Sequence, residues 1–445
     1  MRRRPGQRRR RRLHLDLHQS NSAFTDTSEA FVFDPNSEAF SYDPYPTYAW
    51  MREHAPAYYW AERDMIVLTR LEDMRTFFTH EQLSTDIHQW AHFPGEAMYS
   101  QPGLEGYAWM IRNTLFNMPP EDHARVRKLS SVALTPRAVR RMHDSIAATV
   151  DRYLDELVAP GAEVVNIRDL AEPIPLAVIC DLIGVPAELR ADFRKFGQAA
   201  IKSVQPTNDP ETLREISANL SAGMALVERM VVERRADPNP PDDLLTDFIR
   251  ANEEGRGLSD DELMMIIFGL ITAGSDTTVH GTCYAVYSLL RHPEALAELQ
   301  ADRSLLRGAI EETLRWDSFG KIGLYRYALE DMEIAGAKVR KGQAVSVLSG
   351  AAGRDERTYE RADEFDIHRD YLGNLTFGLG RHFCLGANLA RAELTQAIET
   401  LLLDRFPEAK LAGDPVIDVE NPVMRPITDL PVRLGPDHGE PGASA

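Results

Sequence analysis

The sequence predicts a mainly α fold with a small β portion, folded as a single integrated domain. Three observations carry this. Long segments repeat apolar residues at helical spacing, short β-rich pieces fall only between them, and no internal repeat or low-complexity linker divides the 445 residues. Hydrophobic residues make up 43% of the chain, which is ample for a large core.

The opening MRRRPGQRRRRR holds eight arginines in twelve residues with no apolar run behind it. It is therefore no secretory signal, and a disordered basic arm is expected over residues 1–22, ahead of a domain spanning 23–435. The net charge is −18, and removing those eight arginines leaves −26. So acidic a body argues against a nucleic-acid partner. GPDHGEPGASA at the other end reads as a loose tail, residues 436–445.

Between the tails, MIVLT at Met65 reads as a strand, as do MEIAGAKV at Met332 and AVSVLS at Ala344. Helices are expected over Pro136–Leu157, Glu211–Arg235, Asp260–Leu290, Arg303–Arg315 and Leu385–Leu403. The segment NMPPEDHARVRKL opens a further helix at Pro119 or Pro120, with acidic residues in its first turn. On it His123 and Arg127 stand at i, i+4, a pair suited to an anionic oxygen ligand or, without context, a solvated basic face. His88 and His92 share that spacing but lack a third ligand, and read as loop residues.

The longest apolar run, LMMIIFGLITA from Leu263 to Ala273, is too short to span a bilayer. It suits a buried core helix, so no integral membrane segment is expected. The run ends in AGSDTT, where polar residues interrupt an apolar helix at a cost in propensity. Either the helix distorts locally where a small ligand or water meets the backbone, with Asp276 and Thr277 passing protons, or these side chains bond back to their own helix. In AIEETLRW, Glu312 and Arg315 stand at i, i+3 among Ala309, Ile310, Leu314 and Trp316, which predicts a buried ion pair.

The segment FGLGRHFCLG surrounds Cys384 with Gly378, Gly380 and Gly386, directly before a helical run. Unpaired N–H groups and the dipole at a helix N-terminus bias a thiol toward thiolate. Cys180 and Cys283 are isolated, so no CxxC zinc spacing exists, and no GxxxxGK[ST] occurs. A buried small hydrophobe, a cysteine nucleophile and a single thiolate ligand to a metal-bearing cofactor remain open. Three scattered cysteines fit a reducing compartment, and a cytoplasmic location is expected.

In this order and spacing, FGLGRHFCLG, AGSDTT and ETLR resemble the cysteine-ligand loop, the oxygen-activating helix and the ExxR pair of the cytochrome P450 family of haem-thiolate monooxygenases. The similarity runs from about Asp34 to Leu434, and DLIGVP at Asp181 and DDLL at Asp242 match the family's bacterial branch. The resemblance implies haem b as cofactor, with Cys384 as axial iron ligand and His123, Arg127, Arg326 and His382 on the propionates. It places Ala273 and Gly274 over the ring, Phe377 and Gly386 in the cysteine loop, and Asp276 and Thr277 in proton delivery. Glu312 and Arg315 become structural.

The implied activity inserts one oxygen atom from O2 into a medium-sized apolar or aromatic organic substrate of secondary metabolism. A peroxide-driven or isomerising haem-thiolate enzyme, and a non-catalytic haem carrier or sensor, are the rival readings. Because such a domain occupies essentially the whole chain, electrons are expected from a separate ferredoxin and ferredoxin reductase. Lys128, Arg381 and Arg391 are the expected basic docking patch. The aromatic-rich Asp86–Asn113 segment is the expected pocket loop, and Lys321 reaches either an acidic substrate group or solvent. Two departures from the pattern stand out. Glu364 precedes Phe365 where many relatives carry Arg, making Arg369 the expected third partner of the ion pair, and Gly353 stands where Asn is frequent.

Overall fold

A computed structural model describes residues 31–93, 95, 101–131, 134–203, 209–251, 258–370 and 373–438. The arm expected over 1–22, part of the expected pocket loop and the end of the tail lie outside these residues. One compact unit runs from Pro35 onward.

The helices that position the site are, in chain order, α1 (Glu105–Asn113), α2 (Pro120–Ser131), α3 (Pro136–Arg141), α4 (Ile167–Ala171), α5 (Pro173–Ile183), α6 (Arg190–Ser203), α7 (Pro210–Ala236), α8 (Asp260–Arg291), α9 (Leu306–Trp316) and α10 (Ala387–Ile398). The axis of the molecule is α8. Its start is specified locally: Ser259 Oγ accepts the Glu262 N–H at 3.2 Å, Glu262 Oε2 accepts the Ser259 N–H at 2.8 Å, and Asp260 and Asp261 add negative charge to the first turn.

Thirty-two residues make α8 about 48 Å long, enough to serve two apolar cores. Its first half packs with Phe193, Phe196 and Val227 from α6 and α7, and its second half with Ala309, Leu394 and Ile398 from α9 and α10. By length and composition α8 could cross a membrane, yet most of its apolar window lies inside the fold.

A five-stranded sheet lies beside the helices, built from β1 (Ala57–Trp60), β2 (Met65–Leu68), β3 (Leu83–Ser84), β4 (Arg326–Ala328) and β5 (Ala344–Val347) in the order β1-β2-β5-β4-β3. Strand β2 is wholly buried and pairs in parallel with β5, Met65 opposite Ala344 and Leu68 opposite Val347, which explains its unbroken apolar run. Arg326 sits on β4 opposite Val345 of β5, so an inner strand carries this cation into the interior.

Several boundaries differ from expectation. MEIAGAKV is not one strand but a hairpin, Met332–Ile334 and Ala337–Val339, because Ala335 and Gly336 both take positive φ and form a two-residue turn. Pro136–Leu157 divides at Met142 into two helices. Arg303–Leu305 is a separate 3-10 turn ahead of α9, and the last expected helix starts at Ala387 and passes into a π turn over Glu399–Arg405. The tail is held at its start, where Asp437 pairs with Arg405 at 2.6 Å.

The expected pocket loop contains a helix, α1, with no side-chain cap of its own. Ser217 of α7 caps it instead, its Oγ accepting the N–H groups of Gly106 at 3.1 Å and Tyr107 at 3.3 Å. Gly106 is required by this approach: a Cβ there would lie 2.5 Å from Ser217 O.

Candidate functional site

The cysteine loop is a tight bulge. Cys384 N–H donates to Phe377 O at 2.8 Å, and Gly378 and Gly380 hold positive φ angles of 72° and 73° that only glycine adopts without strain. Helix α9 anchors the loop from beneath, with Thr376 Oγ1 donating to Leu314 O at 3.1 Å and Asn374 Nδ2 to Glu311 O at 3.4 Å. Past the cysteine, a Cβ at Gly386 would meet nothing within 4 Å, so the backbone borders open space there.

Opposing influences act on the thiol. Burial raises the Cys384 pKa and outweighs the Gly386 N–H, Arg127 and Arg391, which all favour thiolate. Being at a helix start does not by itself ionise this sulfur, because α10 begins only at Ala387 while the side chain is desolvated. A thiolate here requires a positive partner on the sulfur, as a metal ion provides.

Next to the loop, cationic side chains converge without an anion. His123 is buried on α2 with Nε2 unpartnered, and its ring lies 4.4 Å from that of His382. Arg127, one turn on, donates to Phe383 O. Arg326 enters from β4 with its guanidinium 5.1 Å over the Phe77 ring. Among the described residues, neither His123, Arg127, Arg326, Arg381 nor His382 forms an ion pair with a carboxylate. Burial, then His123, Arg326, Arg381 and Arg127, push His382 down to about 3, and burial with Arg381 pushes Arg326 down to about 10. Such a nest is built for an anionic group not supplied by the chain.

Across α8, one face opens where the rest is buried. Gly269, Ala273 and Thr277 share it at i, i+4 and i+8; Ala273 is exposed and a Cβ at Gly269 would meet nothing within 4 Å. A Cβ at Gly274 would lie 3.1 Å from Ile179 Cδ1, so its smallness serves packing against α5. The helix is continuous through AGSDTT, and Thr277 Oγ1 donates to Ala273 O at 2.5 Å, the back-bonding alternative of the two. Asp276 faces His280 and Arg168, partners that the sequence reading missed.

The remaining residues sort clearly. Glu312 and Arg315 are both buried and joined at 2.6 Å, and Arg369 Nε lies 3.3 Å from Glu312 Oε1, the expected third partner. Gly353 is no accident: its carbonyl accepts Arg315 Nη1 at 2.6 Å, and a Cβ would come within 2.3 Å of Arg315 O. Lys321 reaches neither substrate nor solvent. It is fully buried, and its Nζ donates to the carbonyls of Val419 and Asn421. Arg391 also leaves the expected basic patch, since it pairs with buried Glu311 and covers the Phe377 ring at 4.3 Å. His88 and His92 bind Asp86 and Asp64 separately.

Comparison with known proteins agrees with this geometry. The family model described as Cytochrome P450 matches residues 55–428. The Epothilone C/D epoxidase of Sorangium cellulosum is 38% identical over 94% of this chain and 99% of its own length, and the 6-deoxyerythronolide B hydroxylase of Saccharopolyspora erythraea is 33% identical over 91% and 99%. The structure titled Epothilone B-bound Cytochrome P450epoK superposes with a TM-score of 0.83 at 38% identity, covering 91% of this chain and all of that one. The chain belongs to the cytochrome P450 family. It is a monooxygenase of the bacterial type, and the family's cofactor is haem b.

Proposed function

We propose that the site holds haem b with Cys384 on the iron, His123, Arg127, Arg326 and His382 on the propionates, and Phe377 and Gly386 against the proximal side. One observation carries this reading: the buried, unpartnered Nε2 of His123 stands in a nest of cations lacking an anion, beside a desolvated thiol that needs a cation. When bound, haem b supplies the activation of O2 and the transfer of one oxygen atom to substrate.

The chain's own groups have narrower tasks. Arg127 and Arg391 lower the cost of negative charge on Cys384. Ala273 keeps the open face of α8 low, so that a substrate approaches closely. Thr277 has given its hydroxyl proton to Ala273 O, which leaves its oxygen as an acceptor for water or a protonated ligand. Asp276 follows as the carboxylate from which protons are passed. Aromatic Tyr107 and Trp109 on α1, and the substrates printed in the relatives' names, support a medium-sized apolar or aromatic substrate of secondary metabolism.

Electrons are assigned to a ferredoxin and its reductase. The supporting feature is an exposed basic surface: Lys128 on α2, Arg381 beside the cysteine, and Arg137, Arg140 and Arg141 on α3, which packs against α10. Three free thiols support a cytoplasmic location.

The test is spectroscopic. The reduced carbon monoxide complex should show the strongly red-shifted Soret band of a thiolate-ligated haem, and Cys384→Ala should abolish it. Turnover should need both surrogate ferredoxin and reductase. A red-shifted band that persists in Cys384→Ala would overturn the assignment.

A further inference from the structure

Asp276 is not isolated beside Thr277. One turn along α8, His280 brings Nε2 to 3.3 Å from Asp276 Oδ2, off the line of a well-formed hydrogen bond but within close electrostatic range. On the other edge of the ring, Nδ1 lies 3.4 Å from Arg168 Nη1. Arg168, on α4, also brings Nη2 to 3.7 Å from Asp276 Oδ1, and its outer side meets Glu172 at 3.7 Å. The three side chains close a triangle in which the imidazole is buried, while Arg168 and Asp276 are each partly exposed.

Hydrogen-bond chemistry assigns the roles within it. A guanidinium has donors only, so Nδ1 must accept, and a neutral imidazole that accepts at Nδ1 carries its proton on Nε2. That proton faces Asp276. Packing against Phe319, 5.9 Å away, would need only a ring and no donor.

We propose that His280 is a positioning residue: its Nε2–H, with the tautomer set by Arg168, orients the Asp276 carboxylate for its work beside Thr277. This rests on the role given to Asp276 above. The electrostatics agree. Burial pushes the Asp276 carboxyl up, but His280 and then Arg168 outweigh it and hold the group below its ordinary value. Among the described residues these are the groups that act on its charge, while Asp169 and the Cys283 thiol, pushed up to about 12 by burial, complete the titratable surroundings.

The experiment is a pH titration of the haem-loaded ferric protein carrying 13C-labelled aspartate, followed by infrared absorption. Subtracting the Asp276→Asn spectrum isolates the carboxyl of interest. His280→Phe keeps a ring against Phe319 and removes the donor, so the Asp276 midpoint should rise by about one pH unit, tenfold in proton affinity. His280→Leu carries the same expectation should His280→Phe fail to retain haem. His280→Gln, which keeps an amide donor, should restore at least half of the shift. An unchanged midpoint in the donor-free variants overturns the proposal, as does a Gln variant that shifts as far as Phe. If Asp276→Asn leaves the turnover rate unaltered, the role of Asp276 fails while the titration result stands.

Discussion

Arg315 grips Glu312 with two prongs, Nε to Oε2 at 2.6 Å and Nη2 to Oε1 at 2.7 Å, and the same carboxylate takes Arg369 Nε at 3.3 Å and the Asp366 N–H at 2.8 Å. Arg315 then uses Nη1 on the carbonyls of Gly353 and Ala362. One carboxylate thus engages two guanidinium groups, balancing one of their two charges, and ties α9 to the segment before the cysteine loop. Glu312→Gln leaves both cations uncompensated in a buried site, which costs about 3–5 kcal/mol. Thermal unfolding should begin well below that of the parent, with haem lost in the same transition. A parent-like midpoint would show that the backbone carbonyls suffice.

Glu393 on α10 is buried, its Oε2 has no partner among the described residues, and burial pushes it up to about 8. An unfolded chain releases this proton near pH 4.5, whereas the folded protein keeps it. The stability that the neutral acid permits is complete below pH 4.5 and declines as pH rises toward 8, by about 1.4 kcal/mol per unit for one proton. Glu393→Gln should flatten that decline and unfold at higher temperature than the parent at pH 7. Parallel pH profiles of parent and variant would refute the account.

Thr277→Ala removes an oxygen that accepts at the open face of α8 while leaving the neighbouring contacts in place. Substrate-binding spectra should survive, and a rising share of electrons should end as hydrogen peroxide. Asp276→Asn should slow turnover with less uncoupling, because the carboxylate is lost and the hydroxyl remains. Measuring NADH consumed, peroxide formed and product made separates the two. A Thr277→Ala enzyme with parental rate and coupling would assign proton delivery to substrate or water.

The arginines of α3 are exposed, whereas Arg391 is engaged with Glu311. Reversing Arg137 and Arg140 to Glu should slow reduction by an acidic ferredoxin about tenfold at low salt, and the difference should shrink near 0.5 M salt, where screening is within a few ångströms. Arg391→Gln should lower stability more than it lowers the salt dependence. Equal salt dependence in the parent and the α3 variant would remove α3 from the docking surface.

Local signals made much of this legible. The capping box of α8, the glycines around Cys384 and the apolar neighbours of Glu312 announce their structures because each depends on residues within a few positions. What stayed hidden is non-local. Arg168 reaches Asp276 from a distant helix, Lys321 is buried by carbonyls of a segment near the C-terminus, and Arg391 is diverted by Glu311. His280 was within reach of sequence reasoning, being one turn from Asp276 on the same helix. At Cys384, desolvation, a property of the assembled fold, opposes the helix-end field that the sequence announces.

The cap that Ser217 places on α1 makes that helix conditional. Nine residues are too few to hold a helix in water unaided, so α1 persists only while α7 is docked on it. The amides of Gly106 and Tyr107 consequently report on a distant event: their hydrogen exchange measures how often α7 lifts away. Ser217→Ala should speed exchange at these amides while α8 stays protected, giving α1 an opening free energy of its own, smaller than that of the molecule.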